Sequence, residues 1–120
     1  MAKVRPSPGA GNVPITLDGE DRELVPSLGA CTFLSRQGGG LMGLVQRCGA
    51  LDMDAIVMVI AQGLGLMGQG SKDLPNLVYR TGVSDLAGPC IRFINILANG
   101  GKPPSEEDAA DADGDPRPAG

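Results

Sequence analysis

With 120 residues, a formal net charge of −4, two Phe, one Tyr, no Trp and no His, the chain reads as one small domain whose burial rests on Leu, Ile, Val and Met, while 19 Gly raise the entropy cost of folding. The charge is unevenly placed: residues 1–100 hold eight basic and eight acidic side chains, and residues 101–120 hold two and six. No basic patch with interleaved aromatics is present, which argues against nucleic acid as a principal ligand, and the lack of imidazole excludes His-dependent catalysis.

Residues 1–12, with Pro6, Pro8, Gly9, Gly11 and Asn12, have no periodicity and read as a flexible lead-in, so that order is expected to start at Val13. Val13, Ile15 and Leu17 alternate with Pro14 and Thr16. Asp18-Gly19-Glu20-Asp21 supplies turn chemistry, and Arg22-Glu23-Leu24-Val25 returns before Pro26. This predicts a β-hairpin over 13–26 with Ile15, Leu17 and Leu24 on one face, and a lone hairpin must pack that face on helices to persist in water.

Ser27 can cap a short helix through Arg36, although Leu28, Cys31, Phe33 and Leu34 fit a helical repeat only loosely. Gly38-Gly39-Gly40 ends it. Leu41, Leu44, Val45 and Cys48 then fall at i, i+3, i+4 and i+7, and Gly49 stands where a left-handed C-cap is expected. The most apolar stretch follows. Asp52 is the predicted N-cap of a helix over 52–64, Asp54 suits its first turn, and the seven apolar residues Ala55 to Ala61 present apolar groups on every side, so this helix is expected to be enclosed by its neighbours. Gly63, Gly65, Gly68 and Gly70 are expected to end it in a mobile loop.

Leu74, Leu77 and Val78 predict a short amphipathic helix between Asp73 and Gly82. Ser84 is the predicted cap of a last helix in which Leu86, Cys90, Phe93, Ile94 and Leu97 share a face, Pro89 restarts or kinks the beginning, and Asn99-Gly100-Gly101 closes the end. The Asp/Glu/Ala/Pro run over 101–120 cannot bury apolar surface and reads as a disordered acidic tail. The fold class expected is therefore mainly α with a small N-terminal β-hairpin (α+β). Four to five short helices over 27–99 pack around the central apolar one in a single globular domain over 13–100, between disordered ends.

Candidate chemistry is sparse. Gly63-Leu64-Gly65-Leu66-Met67-Gly68 matches GxGxxG formally, yet a helix precedes it where the dinucleotide fingerprint needs a strand, and Gly65 to Lys72 resembles a P-loop with its last two residues reversed. A helix-to-helix connection is the preferred reading. Asp52 with Asp54, and Asp18 with Glu20 and Asp21, lack a His or a third convergent ligand and read as caps and turn residues, so no catalytic, cofactor-binding or metal-binding residue is expected. Cys31, Cys48 and Cys90 are far apart in sequence, odd in number and without CxxC spacing, and read as reduced, buried cytosolic thiols. Lys3 and Arg5 are not followed by an apolar signal segment, and the weakly polar run from Ala55 to Gly68 is shorter than the ~20 residues that span a bilayer, so no membrane association is expected.

Ile15-Thr16-Leu17-Asp18-Gly19-Glu20-Asp21-Arg22-Glu23-Leu24, a capped helix, and Ala55-Ile56-Val57-Met58-Val59-Ile60-Ala61-Gln62-Gly63-Leu64 together resemble the small proteins encoded among the tail genes of gene transfer agents and related long-tailed phages. Those proteins are described as tail assembly chaperones or as tail tube proteins. They show a T-L-D-G-x-x-R-x-L hairpin, an apolar helix ending in Gly-Leu, and a final helix after a Gly-Val/Leu segment, here Gly82-Val83. The resemblance covers residues 13–100. The chain departs from the pattern at Cys31-Thr32-Phe33-Leu34-Ser35-Arg36, where acidic residues are usual, and at the triple glycine.

The resemblance implies a non-enzymatic tail assembly chaperone that takes no cofactor. It would act in the cytoplasm of a bacterial host on the tape measure protein and the tail tube subunits, and it would be absent from the mature particle. Two alternatives are a structural tube or completion subunit of the tail, and a small nucleotide-binding enzyme built on the glycine loop. For the leading reading, Leu41, Met42, Leu66 and Met67 are the candidate partner-binding residues, with core packing as the competing use of the same side chains. A homo-oligomer is compatible with the sequence.

Overall fold

The computed structural model describes residues 11–66 and 72–103. A two-stranded antiparallel hairpin, β1 (Val13–Leu17) and β2 (Glu20–Leu24), precedes five helices: α1 (Leu28–Ser35), α2 (Gly40–Gly49), α3 (Met53–Leu64), α4 (Leu74–Thr81) and α5 (Val83–Ala98). The mainly helical fold with an N-terminal hairpin is the architecture expected. The expected disorder of residues 1–10 and of the tail from 104 onward lies outside the described residues.

Val13 pairs with Leu24, Ile15 with Arg22 and Leu17 with Glu20. Val13, Ile15, Leu17 and Leu24 are all buried on the helices, which is why so small a sheet persists. The turn is tighter than expected. It consists of Asp18 and Gly19 alone, both at positive φ (51° and 86°), so Glu20 and Asp21 belong to β2. Asp-Gly is the sequence that tolerates this geometry in a two-residue hairpin turn. The fold also begins before Val13: Gly11 is buried against Gly101 and Pro26, and the Asn12 amide donates to Glu23 Oε1 at 2.8 Å.

Ser27 caps α1 as expected, its Oγ accepting from the Ala30 N–H at 3.0 Å. Gly39 and Gly40 both take positive φ in the turn into α2. Gly49 is not the left-handed stop of α2. The helix runs through Gly49, and Leu51 takes that conformation at φ 63°, with Leu51 N–H bonded to the Cys48 carbonyl and Asp52 N–H to the Arg47 carbonyl. That pair of bonds is a Schellman closure, which fixes the left-handed position by geometry even where the residue has a side chain.

Asp52 then caps α3, its Oδ1 accepting from the Ala55 N–H at 3.2 Å. Ala55, Ile56, Val59, Ile60 and Gly63 are buried, whereas Val57, Met58 and Ala61 are half-buried. The helix is thus covered deeply along one face and only partly on the other, because too few elements surround it to enclose it. Gly63 is not a stop either. It is a helical residue packed on Leu24, and its carbonyl accepts from the Val25 N–H at 2.8 Å. A β-carbon there would lie 2.8 Å from Leu24 Cβ, so only glycine lets hairpin and helix meet. The stop is Gly65 at φ 71°. Gly68 and Gly70 lie outside the described residues.

Ser84 does not cap α5, which starts at Val83 behind Gly82 (φ 109°), leaving Ser84 in its first turn. Pro89 sits inside one continuous α5 and does not restart it; near the N-terminus the lost N–H costs a single ladder bond. Asn99, Gly100 and Gly101 end α5 as expected. Along α5, Leu86, Cys90, Phe93, Ile94 and Leu97 are buried and join α2, α3 and the hairpin in one core.

Candidate functional site

The four candidate contact residues do not behave alike. Met42 on α2 is 55% exposed, while Leu41 and Leu66 are half-buried and packed against the core. Met67 lies outside the described residues. Leu41 and Leu66 therefore serve packing, and Met42 alone of the described three offers free apolar surface.

Other apolar side chains are more exposed than expected. Leu28 is 83% exposed, and Val25, Phe33, Leu51 and Tyr79 also stand in solvent. Among the described residues, Leu28 and Phe33 lie on α1 and Met42 on α2, with Val25 just before α1 and Leu51 just after α2. Their signal was present in the sequence: Leu28, Ala30, Cys31, Phe33 and Leu34 are too many apolar positions for one face of a two-turn helix, so some had to face outward. Beside them, Pro26, Ser27, Leu28, Cys31, Leu97, Gly100 and Gly101 line a cleft of about 370 Å³ between α1 and the end of α5.

A larger open groove of about 1030 Å³ runs between the hairpin and the α4–α5 junction. Most of its charged groups are engaged with one another or with the fold. Arg80 Nη1 donates to Asp18 Oδ2 at 3.3 Å, the Asp18 N–H donates to Thr81 Oγ1 at 2.6 Å, and Thr16 Oγ1 donates to Asp21 Oδ1 at 3.1 Å. These bonds tie the hairpin tip to α4. They leave the acidic turn a structural feature.

Asp52 is similarly occupied. Arg47 Nε donates to its Oδ2 at 3.0 Å, and this bond, with the Ala55 N–H, holds the carboxyl below the usual carboxylate range. Asp54 is exposed in the first turn. The glycines of the formal GxGxxG divide between a helix interior (Gly63) and a helix stop (Gly65), the third being outside the described residues. No group of three or more potential metal ligands occurs among the described residues, and none of the described helices is long and apolar enough to cross a membrane.

Cys48 on α2 and Cys90 on α5 are both buried in the core, as their helical periodicity places them, and Cys90 Sγ donates to the Ile56 carbonyl at 3.9 Å, whereas Cys31 is half-buried on α1 with its Sγ 3.9 Å from the Leu97 carbonyl.

No family model, curated protein or solved structure matches the chain.

Proposed function

We propose that this protein is a tail morphogenesis factor of a phage-like particle, a non-enzymatic tail assembly chaperone that covers apolar segments of a tape measure protein in the bacterial cytoplasm until tube subunits assemble. The observation that carries the reading is a contact. The T-L-D-G hairpin and the Gly-Leu end of the apolar helix, the two short motifs on which the resemblance rests, are packing partners through Leu24 and Gly63. Their joint occurrence thus has a physical cause, since each motif needs the other to be buried. The surplus of apolar side chains on and around α1 and α2 supports the same reading, because a chaperone of helical segments needs apolar surface that its own core does not consume.

The test is co-expression with a tape measure protein of a long-tailed phage-like particle, followed by affinity capture and by mass spectrometry of purified particles. The chaperone reading expects a soluble complex before assembly and no stoichiometric copy in the finished particle. Stoichiometric presence would overturn it in favour of a structural tail subunit. Failure to hold the tape measure protein in solution, with no copy in the particle, would overturn both.

A further inference from the structure

The hairpin leaves one strand edge without a partner. Its two-residue turn makes Leu17 and Glu20 the first hydrogen-bonded pair, so Val13, Ile15 and Leu17 turn their backbone groups toward β2, while Pro14 and Thr16 turn theirs away. β1 is the strand that packs against α4 and α5. The next outward group along it, the Asp18 N–H, is taken by Thr81 Oγ1 at 2.6 Å. Among the described residues, nothing does the same for the Thr16 N–H or for the Pro14 and Thr16 carbonyls, and both residues line the groove of about 1030 Å³ beside α5.

The side chains around this edge carry mostly one sign of charge. Asp18, Asp21, Glu23 and Asp85 line the groove with Arg22 and Arg80, but Arg80 is paired with Asp18 at 3.3 Å and Arg22 with Glu20 at 3.1 Å. Asp21 accepts from the Thr16 hydroxyl and Glu23 from the Asn12 amide, both neutral donors, and Asp85 is exposed in the first turn of α5. These three carboxylates therefore have no cationic partner among the described residues. Beneath them, Ile15 and Leu86 are buried and Pro89 is half-buried, so the inner side of the groove is apolar.

We propose that the β1 edge docks an extended segment of a partner protein, basic at alternate positions and apolar between them, as a third strand of the sheet. In an antiparallel pairing, the partner residue opposite Thr16 exchanges both backbone bonds with it, and the residue two positions along donates to the Pro14 carbonyl. Side chains opposite Pro14 and Thr16 lie on the outer face, where a Lys or Arg reaches Asp21 and Glu23. The residue between them, opposite Ile15, turns inward against Leu86 and Pro89. A second copy of the chain does not suit this edge: pairing β1 with β1 would set like-charged grooves against each other, and Pro14 of each copy would withhold a donor. The surface is separate from the exposed side chains of α1 and α2, and the proposal does not depend on the tail assembly reading.

Isotope-labelled full-length protein is titrated with a synthetic octapeptide that alternates Lys or Arg with Val, and amide exchange is followed residue by residue. The basic peptide should slow exchange of the Thr16 amide by about tenfold or more. A peptide with Glu at the basic positions, and the basic peptide N-methylated on alternate backbone nitrogens, should not. Asp21→Asn combined with Glu23→Gln and Asp85→Asn should weaken binding by about tenfold with melting unchanged, and added salt should weaken binding to the parent. Equal binding of the acidic or the N-methylated peptide, an unprotected Thr16 amide, or effects confined to Leu28, Phe33 and Met42 would each overturn the proposal. So would a Thr16 amide already protected in the free monomer, which would mean that the chain closes its own edge, or protection that grows with protein concentration alone, which would put a second copy there.

Discussion

Glycine and apolar side chains are used in opposite ways at the two ends of this small core. Where the hairpin meets α3, Gly63 is pressed against Leu24 so closely that a β-carbon has no room, and Leu24 is fully buried. In α1, Gly29 faces open space, and Leu28 beside it is 83% exposed. The first region spends its small and large residues on each other. The second buries Leu34 but leaves Leu28 and Phe33 in water, and the contrast separates the part of the molecule that holds the fold from the part free to meet something else.

The largest expected effect tests the first region. Ile60→Asp places a carboxylate at a fully buried position of α3 with no partner, which costs more than a domain of this size has in reserve, so circular dichroism should show an unfolded chain. Native-like melting of that variant would mean that α3 is not the core. Gly63→Ala comes next. Helix propensity favours Ala by about 1 kcal/mol, but Leu24 Cβ at 2.8 Å and Cα at 3.2 Å belong to or adjoin the backbone and cannot rotate away. A net loss of ~1–3 kcal/mol in chemical denaturation is expected, with a gain in stability as the contrary result.

Much of this contrast was legible in the sequence, and its limits have physical causes. Alternation over Val13–Leu17 and the 3–4 spacing in α2 and α5 identified core faces, because one buried face imposes the period directly. Local signals misled where a long-range contact decides. Gly63 looks like a stop in sequence and is an interior contact, and Ser84 looks like a cap although Gly82 already turns the chain. For the candidate contact residues, composition could not divide Met42 from Leu41, since adjacent apolar residues on a helix face different ways and only the packing of the neighbours says which faces are free.

The joint between α2 and α3 offers a pH-dependent test. Arg47 and the Ala55 N–H depress the Asp52 pKa, so this group contributes stability above its unfolded value near ~4, and that contribution is lost as pH falls through the lower folded value. Arg47→Ala should lower the thermal midpoint at neutral pH, and its gap from the parent should close as Asp52 is protonated below about pH 4. A gap of constant size down to about pH 2 would show that Arg47 acts through packing and not through the ion pair.

Gly29→Ala inverts the Gly63 experiment. The added methyl meets nothing within 4 Å, and the residue lies in the first turn of α1, so the change should stabilise the protein by about 0.5 kcal/mol through the unfolded chain's entropy and helix propensity. A loss would reveal a neighbour to α1 that the isolated chain does not contain, such as a second copy.

The smallest stability effect, and the sharpest separation of the two regions, is expected from Leu28→Ser combined with Phe33→Ser. Both side chains are largely outside the core, so their removal should change the unfolding free energy by no more than about 0.5 kcal/mol each. If α1 presents apolar surface to a helical partner, the same double variant should lose affinity for the tape measure protein by tenfold or more, since buried apolar anchors dominate such contacts at roughly 1.4 kcal/mol per decade. Unchanged affinity with unchanged stability would leave these side chains with no role in binding and would shift the search for a partner surface to Met42 and Tyr79, the remaining large apolar groups more than half exposed.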